Sequence, residues 1–145
     1  MPFTVVVIDD DPQWHELIAY ALRPASDTLT IVGNERGGMA GLALVRRERP
    51  DIVITDLMMP DLDGVALTRH IRCELPGTRV ILISSSIEQA YQLMASDSGA
   101  DAYVSKSVLF DSLLAAVWDV IRRRFSGGSW PNPVDPVELQ KPSLP

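Results

Sequence analysis

The sequence predicts an α/β fold: a doubly wound, five-stranded parallel sheet with helices on both faces. Five short apolar runs rich in Val and Ile have the length of strands, and segments with helical spacing of apolar residues lie between and after them. Strands with so little polar alternation need cover on both faces, and alternating helices give that cover when the strands run parallel. The predicted strands are 3–8, 29–32, 52–55, 80–83 and 102–104.

The helices follow from apolar residues that recur three, four, seven and eight positions apart. The first helix begins at Pro12, a residue that an initial helical turn tolerates, with Asp11 before it as the cap. Pro24, Pro50 and Pro76 mark helix ends or the loops after them. The chain therefore alternates five strands with five helices, and the three clearest helical patterns lie within 14–22, 87–95 and 114–125.

Length, charge and cysteine content narrow the class of protein. The 145 residues suit one compact domain, and 46% apolar residues can form its core. A net charge of −6 is the wrong sign for nonspecific contact with nucleic acid or an anionic membrane. The single cysteine, Cys73, excludes a disulfide scaffold and a zinc–thiolate cluster. Because the chain has neither an apolar run of the ~20 residues that span a bilayer nor a signal-peptide pattern, we expect a cytoplasmic protein.

The composition changes at Ser126, which predicts a domain over 1–125 and a Pro/Gly-rich tail or linker over 126–145. Gly127 and Gly128 are expected to end the last helix, and five of the eleven prolines fall in the final twenty residues. A flexible linker is the favoured interpretation. Trp130, which lies among these prolines, keeps a docking arm as the alternative.

Polar side chains follow four of the predicted strands at their carboxyl ends. Taken singly, each has an ordinary explanation as a helix cap, a strand end or a solvated cation. Parallel strands, however, bring all four ends to one edge of the sheet, which is where ligands bind in such folds. The residues are Asp9, Asp10 and Asp11, then Asp56, then Ser84, Ser85 and Ser86, and finally Lys106.

Clustered carboxylates need a cation. Two of them about 4 Å apart repel by ~4 kcal/mol at an effective dielectric constant of 20. An all-oxygen site suits Mg²⁺ better than Zn²⁺, and the two histidines, His15 and His70, lie within helices and are not expected to take part. A central carboxylate with a metal, an ammonium and a hydroxyl can accept a phosphoryl group. We therefore predict phosphoryl transfer to Asp56.

Four stretches of the chain carry a family resemblance: VVVIDDDP, DIVITDLMMPDLDG, VILISSS and GADAYVSKS. Over about residues 3–125 the sequence resembles a receiver domain of two-component response regulators. The resemblance implies a flavodoxin-like (βα)₅ fold, with Mg²⁺ as the cofactor. The phosphoacceptor would be Asp56, and the metal would be held by Asp9, Asp10, Asp56 and the main-chain carbonyl of Met58. The phosphoryl contact and the switch would fall to Ser84, Lys106 and Tyr103.

The resemblance also implies partners. The phosphodonor would be a sensor histidine kinase or a histidine phosphotransfer protein. Partner binding or self-association as a homodimer is expected on the face of the fourth predicted helix, the fifth strand and the fifth helix, whereas direct contact of this chain with nucleic acid or a membrane is not. Two positions depart from the family pattern: Ser107 stands where many receivers have a proline after the lysine, and Ser85 is the small residue after the switch hydroxyl.

Several functions remain open at this point. The favoured one is a phosphorylation-controlled signalling domain that is not an enzyme beyond slow self-dephosphorylation. The first alternative is the N-terminal receiver of a DNA-binding transcriptional regulator. An aspartyl-phosphate phosphatase is less favoured because its nucleophile belongs after the first strand and a cap domain accompanies it, whereas the acceptor predicted here, Asp56, follows the third strand. A receiver that works without phosphorylation would lack an acid or the lysine, and here Asp56 and Lys106 are both present.

Overall fold

A single parallel sheet organises the protein. The computed structural model describes residues 2–85 and 98–125, the side chains of the last two residues excepted. The strand order is β2-β1-β3-β4-β5, and every neighbouring pair is parallel, which confirms the predicted fold class. The strands are β1 (Phe3–Ile8), β2 (Leu29–Glu35), β3 (Ile52–Asp56), β4 (Arg79–Ser84) and β5 (Ala102–Ser105).

Helices cover both faces of this sheet. They are α1 (Pro12–Leu22), α2 (Gly38–Glu48), α3 (Gly64–Glu74) and the final helix (Leu109–Phe125). The predicted cap of α1 is confirmed, because the Asp11 carboxylate accepts a 3.0 Å hydrogen bond from the Gln13 amide. The helix predicted within 87–95 and the tail over 126–145 lie outside the described residues.

The core forms two layers because successive strand residues point to opposite faces. Val5 and Val7 of β1 belong to a cluster with α1 and the final helix, whereas Val6 and Ile8 belong to a second cluster with α2 and α3. All four side chains are fully buried. Burial on both faces explains why the central strands read as continuous apolar runs.

The strand β2 is longer than predicted. It reaches Glu35, three residues beyond the predicted end, because pairing with β1 continues through residues with weak strand propensity. The register shifts between Val5 and Val6, so Val6 pairs with Gly33. A side chain at Gly33 would meet Leu44, whose Cδ2 lies 2.9 Å from the position of a Cβ.

The sheet order reverses between β1 and β3, which lie side by side with helices leaving toward opposite faces. Such a reversal opens a crevice beyond the carboxyl ends of the two strands. The first residue after β1, Asp9, and the last residue of β3, Asp56, lie at this crevice.

Candidate functional site

Three aspartates meet at the crevice. One carboxylate oxygen each of Asp9, Asp10 and Asp56 can be chosen so that all three lie within 4.8 Å of one another. Strand register produces this cluster, because Ile8 pairs with Thr55 and the following residues therefore emerge side by side. Asp9 is fully buried and Asp56 is 6% exposed, whereas Asp10 faces solvent.

The ammonium group of Lys106 forms ion pairs with two of these aspartates. The Nζ of Lys106 lies 2.8 Å from Asp9 Oδ2 and 3.5 Å from Asp56 Oδ1, and its side chain is 9% exposed. Lys106 opens a short 3₁₀ turn, in which the Ser105 hydroxyl accepts a hydrogen bond from the Ser107 amide. No cis peptide bond occurs among the described residues, so the chain passes Ser107 with a trans bond.

The charge balance at Asp56 is unfavourable for its carboxylate. Burial, together with the negative charges of Asp9 and Asp10, raises the pKa of Asp56 to about 6. Lys106 and the hydrogen bond donated by the Met58 amide oppose it without cancelling it. The folded protein therefore keeps a mainly ionised nucleophile at neutral pH, at a cost that an additional cation would offset.

The donor set fits a divalent cation that prefers oxygen. Asp9 Oδ2 is buried and receives no well-aligned hydrogen bond, although the Lys106 ammonium lies 2.8 Å away. The contact is therefore mainly an ionic attraction, and lone pairs of Asp9 remain available to a metal. With three carboxylates against one ammonium and Asp10 open to water, the site suits Mg²⁺ rather than Zn²⁺.

The loop after β3 is held against the site. The Leu57 amide donates to the Ile83 carbonyl and the Gly64 amide donates to the Leu57 carbonyl, both at 2.8 Å. Gly64 is required here because a Cβ would come within 2.4 Å of the Asp56 carbonyl oxygen. Met58 directs its amide to the Asp56 carboxylate and leaves its side chain 53% exposed. The metal-binding role of its carbonyl stays a prediction.

Ser84 and Tyr103 form a buried hydroxyl pair beside the acids. Burial raises the pKa of Tyr103, a hydrogen bond with Ser84 lowers it, and the charge of Asp56 raises it further. Ser84 ends β4, and Tyr103 lies on β5 in a small cluster with Leu57 and Leu82. The structure thus brings both predicted switch residues to the side of Asp56 that faces β4 and β5.

Two residues near the site were not predicted to belong to it. The ring centroid of Trp14 lies 4.8 Å from Lys106 Nζ. The Nε2 of His15 lies 2.9 Å from the Asp9 carbonyl oxygen and 3.1 Å from that of Glu35. Both belong to the first turns of α1, and side chains there lean back toward the sheet edge where α1 begins. That direction is the signal that could have found them.

Comparison with known proteins assigns the family. Residues 5–118 match the model of the response regulator receiver domain. The chain belongs to this family. It is a receiver domain of the two-component response regulators, in which phosphorylation and Mg²⁺ binding at an acidic pocket are general properties.

Similar proteins include transcriptional regulators. The chain is 32% identical to the protein TcrX of Mycobacterium tuberculosis, which bears the name "probable transcriptional regulatory protein", over 84% of its own length and 51% of that protein's. It is 29% identical to the DNA-binding response regulator MtrA of Mycolicibacterium smegmatis, over 96% of its own length and 59% of that protein's. The receiver chain therefore spans little more than half the length of these relatives.

A solved receiver structure agrees with the fold. The signal receiver domain of NarL from Mycobacterium tuberculosis superposes with a TM-score of 0.77 and 32% identity, over 83% of this chain and 97% of that one. Within residues 2–85 and 98–125, no helix combines the length and the apolar character that crossing a bilayer requires.

Proposed function

We propose that this receiver accepts a phosphoryl group on Asp56 and that the modification changes its contacts with partners. The donor is a phosphohistidine of a sensor histidine kinase or of a phosphotransfer protein. The observation that carries the proposal is the position of the Asp56 carboxylate, which is crowded by Asp9 and has the Lys106 ammonium 3.5 Å from its Oδ1.

The chemistry is a displacement at phosphorus. A carboxylate oxygen of Asp56 attacks, the new O–P bond forms as the N–P bond of the phosphohistidine breaks, and the electron pair of that bond stays on the imidazole nitrogen. With its pKa at about 6, Asp56 is mainly ionised at neutral pH and ready to attack. Lys106 then faces the phosphoryl oxygens. Mg²⁺, held by Asp9, Asp10, Asp56 and the Met58 carbonyl, would neutralise charge on those oxygens.

The switch uses the hydroxyl pair next to the acids. In the proposed sequence, the Ser84 hydroxyl leaves its bond with Tyr103 and donates to the phosphoryl group. Tyr103, which is 2% exposed, then repacks against its surroundings on β5. The changed surface is the face that includes β5, the final helix and the helix predicted within 87–95. Partner binding or dimerisation on that face follows from contacts that differ between the two states.

The wider role proposed for the natural protein is control of transcription. The support is that MtrA is a DNA-binding response regulator and that this chain covers 59% of it. In that arrangement 1–125 is the receiver, 126–145 is a linker, and the chain itself works as a signalling domain rather than an enzyme. The proposed location is the cytoplasm, where sensor kinases obtain their ATP.

Intact-mass measurement tests the acceptor. After incubation with acetyl phosphate and Mg²⁺, the wild type should gain the mass of one phosphoryl group and Asp56→Asn should not. Asp63→Asn is the matched control, because Asp63 caps α3 through the Ala66 amide and asparagine is an equally good cap. An undiminished adduct in Asp56→Asn would refute the assignment.

A further inference from the structure

The ring of Trp14 covers the ammonium of the site. Trp14 lies in the first turn of α1, and its ring centroid is 4.8 Å from Lys106 Nζ, within the range of a cation–π contact. The side chain is half-buried and packs against the core cluster of α1 and the final helix. The ring is therefore held by the core rather than by the lysine, and it can serve as a fixed surface for the cation.

Asp9 contacts both the start of α1 and the ammonium of Lys106. Asp9 accepts a 3.0 Å hydrogen bond from the Asp11 amide through Oδ1, while its Oδ2 contacts Lys106 at 2.8 Å. Asp11 in turn caps α1, and its carbonyl accepts the Trp14 amide at 3.0 Å. The helix start that places Trp14 and the carboxylate that attracts Lys106 thus form one connected unit.

An aromatic face holds a cation without using its hydrogen-bond donors. Lys106 forms ion pairs at 2.8 Å with Asp9 and 3.5 Å with Asp56, and the shorter of the two is not a well-aligned hydrogen bond. A third carboxylate in place of Trp14 would compete with an incoming anion for the ammonium hydrogens. The indole face attracts the charge and leaves those hydrogens free.

We infer that Trp14 is a positioning residue, which fixes the Lys106 ammonium for the oxygens of the phosphoryl group. The inference rests on the proposed function, since it concerns the same site. It predicts that loss of the ring weakens binding of a phosphoryl-like anion while leaving binding of the metal ion unaffected. Its probes are beryllofluoride and Mg²⁺ alone.

Three variants separate the ring from the packing. Trp14→Leu removes the aromatic face, Trp14→Phe keeps a weaker one, and Trp118→Leu is the matched control. Trp118 is also a partly buried tryptophan on the same core cluster, and it lies on the final helix. Calorimetric titration with beryllofluoride in saturating Mg²⁺ should show about 5- to 30-fold weaker binding for Trp14→Leu. Trp14→Phe should lie between it and the wild type, and Trp118→Leu should stay within about twofold.

One further readout distinguishes positioning from structure, and a second shows that the Trp14 ring senses the bound anion. The affinity for Mg²⁺ alone should be the same in Trp14→Leu and the wild type, because the ring acts on the ammonium and not on the carboxylates. Tryptophan emission should change when beryllofluoride is added to the wild type or to Trp118→Leu, and this change should be absent in Trp14→Leu.

The outcomes separate the two proposals. If the wild type does not bind beryllofluoride at all, the proposed phosphoryl acceptance is wrong. If the wild type binds and Trp14→Leu binds within twofold of it, the role of Trp14 is wrong while phosphoryl acceptance stands. An equal loss in Trp14→Phe and Trp14→Leu, or an equal loss in Trp118→Leu, would likewise overturn the role of the aromatic face.

Discussion

Two buried aspartates lie at opposite ends of the sheet, and the charges around them have opposite sign. Asp56 ends β3 beside two further carboxylates and one ammonium. Asp101 lies directly before β5, where its Oδ2 accepts a 2.7 Å hydrogen bond from the Val80 amide. Its carboxylate oxygens lie 3.6 Å from Arg72 Nη1 and 3.9 Å from Arg79 Nη1.

The two ends of the sheet differ in whether protein groups of opposite charge surround the buried carboxylate. Burial raises the pKa of Asp101, and Arg72, the Val80 amide and Arg79 limit that rise without cancelling it. Burial also raises the pKa of Asp56, but its neighbour Asp9 raises it further. At the Asp101 end of the sheet, here called the closed end, protein cations face the carboxylate. At the Asp56 end, here called the open end, carboxylates outnumber the ammonium and leave an excess of negative charge that Mg²⁺ can neutralise.

Removing the carboxylate at the closed end should produce the largest change in stability. Asp101→Ala removes the acceptor of the buried Val80 amide and the carboxylate that the guanidinium groups of Arg72 and Arg79 face. We expect the free energy of unfolding to fall by about 2–4 kcal/mol, as measured by urea denaturation.

Asp101→Asn serves as the control for that experiment. Asparagine keeps an acceptor for the Val80 amide, and because burial already raises the pKa of Asp101, a neutral side chain is tolerated there. Its loss of stability should be less than half that of Asp101→Ala. Wild-type stability in Asp101→Ala would show that the closed end is not stabilised by this carboxylate.

Removing the charge of Asp56 should change the free energy of unfolding in the opposite direction. Without Mg²⁺, Asp56→Asn removes a charge that the fold disfavours, so the free energy of unfolding at pH 7 should rise by about 2–3 kcal/mol. The pKa of Asp56 is raised from 3.8 to about 6, so the cost of its charge is fully present above about pH 6 and fades as the pH falls toward 3.8.

Thermal melts of both proteins at several pH values measure this effect. The gap between Asp56→Asn and the wild type should be wide at about pH 7.5 and should narrow below about pH 6. Titrating groups remote from Asp56 contribute equally to both proteins, so their contributions cancel in the difference. A gap that does not change with pH would contradict the raised pKa.

The open end could be predicted from the sequence, because its residues follow the ends of strands. Asp9, Asp56 and Lys106 stand directly beyond apolar runs, and parallel topology brings such positions together. The closed end offered no such signal. Arg72 comes from the last turn of α3, and its partner Asp101 is separated from it by the whole of β4 and more. Their contact depends on how α3 packs on the sheet.

Local patterns also missed contacts that tertiary packing creates. Trp14 fits the apolar spacing of α1 and packs against the core, but its ring also reaches Lys106, a contact that the spacing does not predict. His15 was set aside as a helix residue, yet its ring contacts the Asp9 carbonyl. The extension of β2 to Glu35 arises from pairing with β1 and not from the strand propensity of the residues in the extension.

Binding of Mg²⁺ should offset part of the negative charge at the Asp56 end, and the gain in stability should be smaller than the changes caused by the two substitutions above. A ligand that binds the folded state at ten times its dissociation constant stabilises it by about 1.4 kcal/mol, so the melting temperature should rise when Mg²⁺ is added. The rise should vanish in Asp10→Ala, which removes the solvent-exposed member of the acidic cluster. In Asp11→Asn, which keeps a capping side chain for α1, it should persist. A response that survives in Asp10→Ala would argue against Asp10 as a ligand.

The smallest effect concerns the opening of the site itself, where the lifetime of the phosphoryl group is set. Met58 lies two residues after Asp56 with its side chain 53% exposed, and a thioether cannot orient an attacking water as a polar group can. We therefore expect slow self-dephosphorylation in the wild type and a half-life several-fold shorter in Met58→Asn, measured by loss of the phosphoryl mass over time. Met39→Asn changes an equally exposed methionine, 58% accessible and on α2, and should keep the wild-type half-life. If Met58→Asn had an unchanged or longer half-life, water access at this opening would not limit hydrolysis, and the charge around Asp56 alone would have to explain the lifetime.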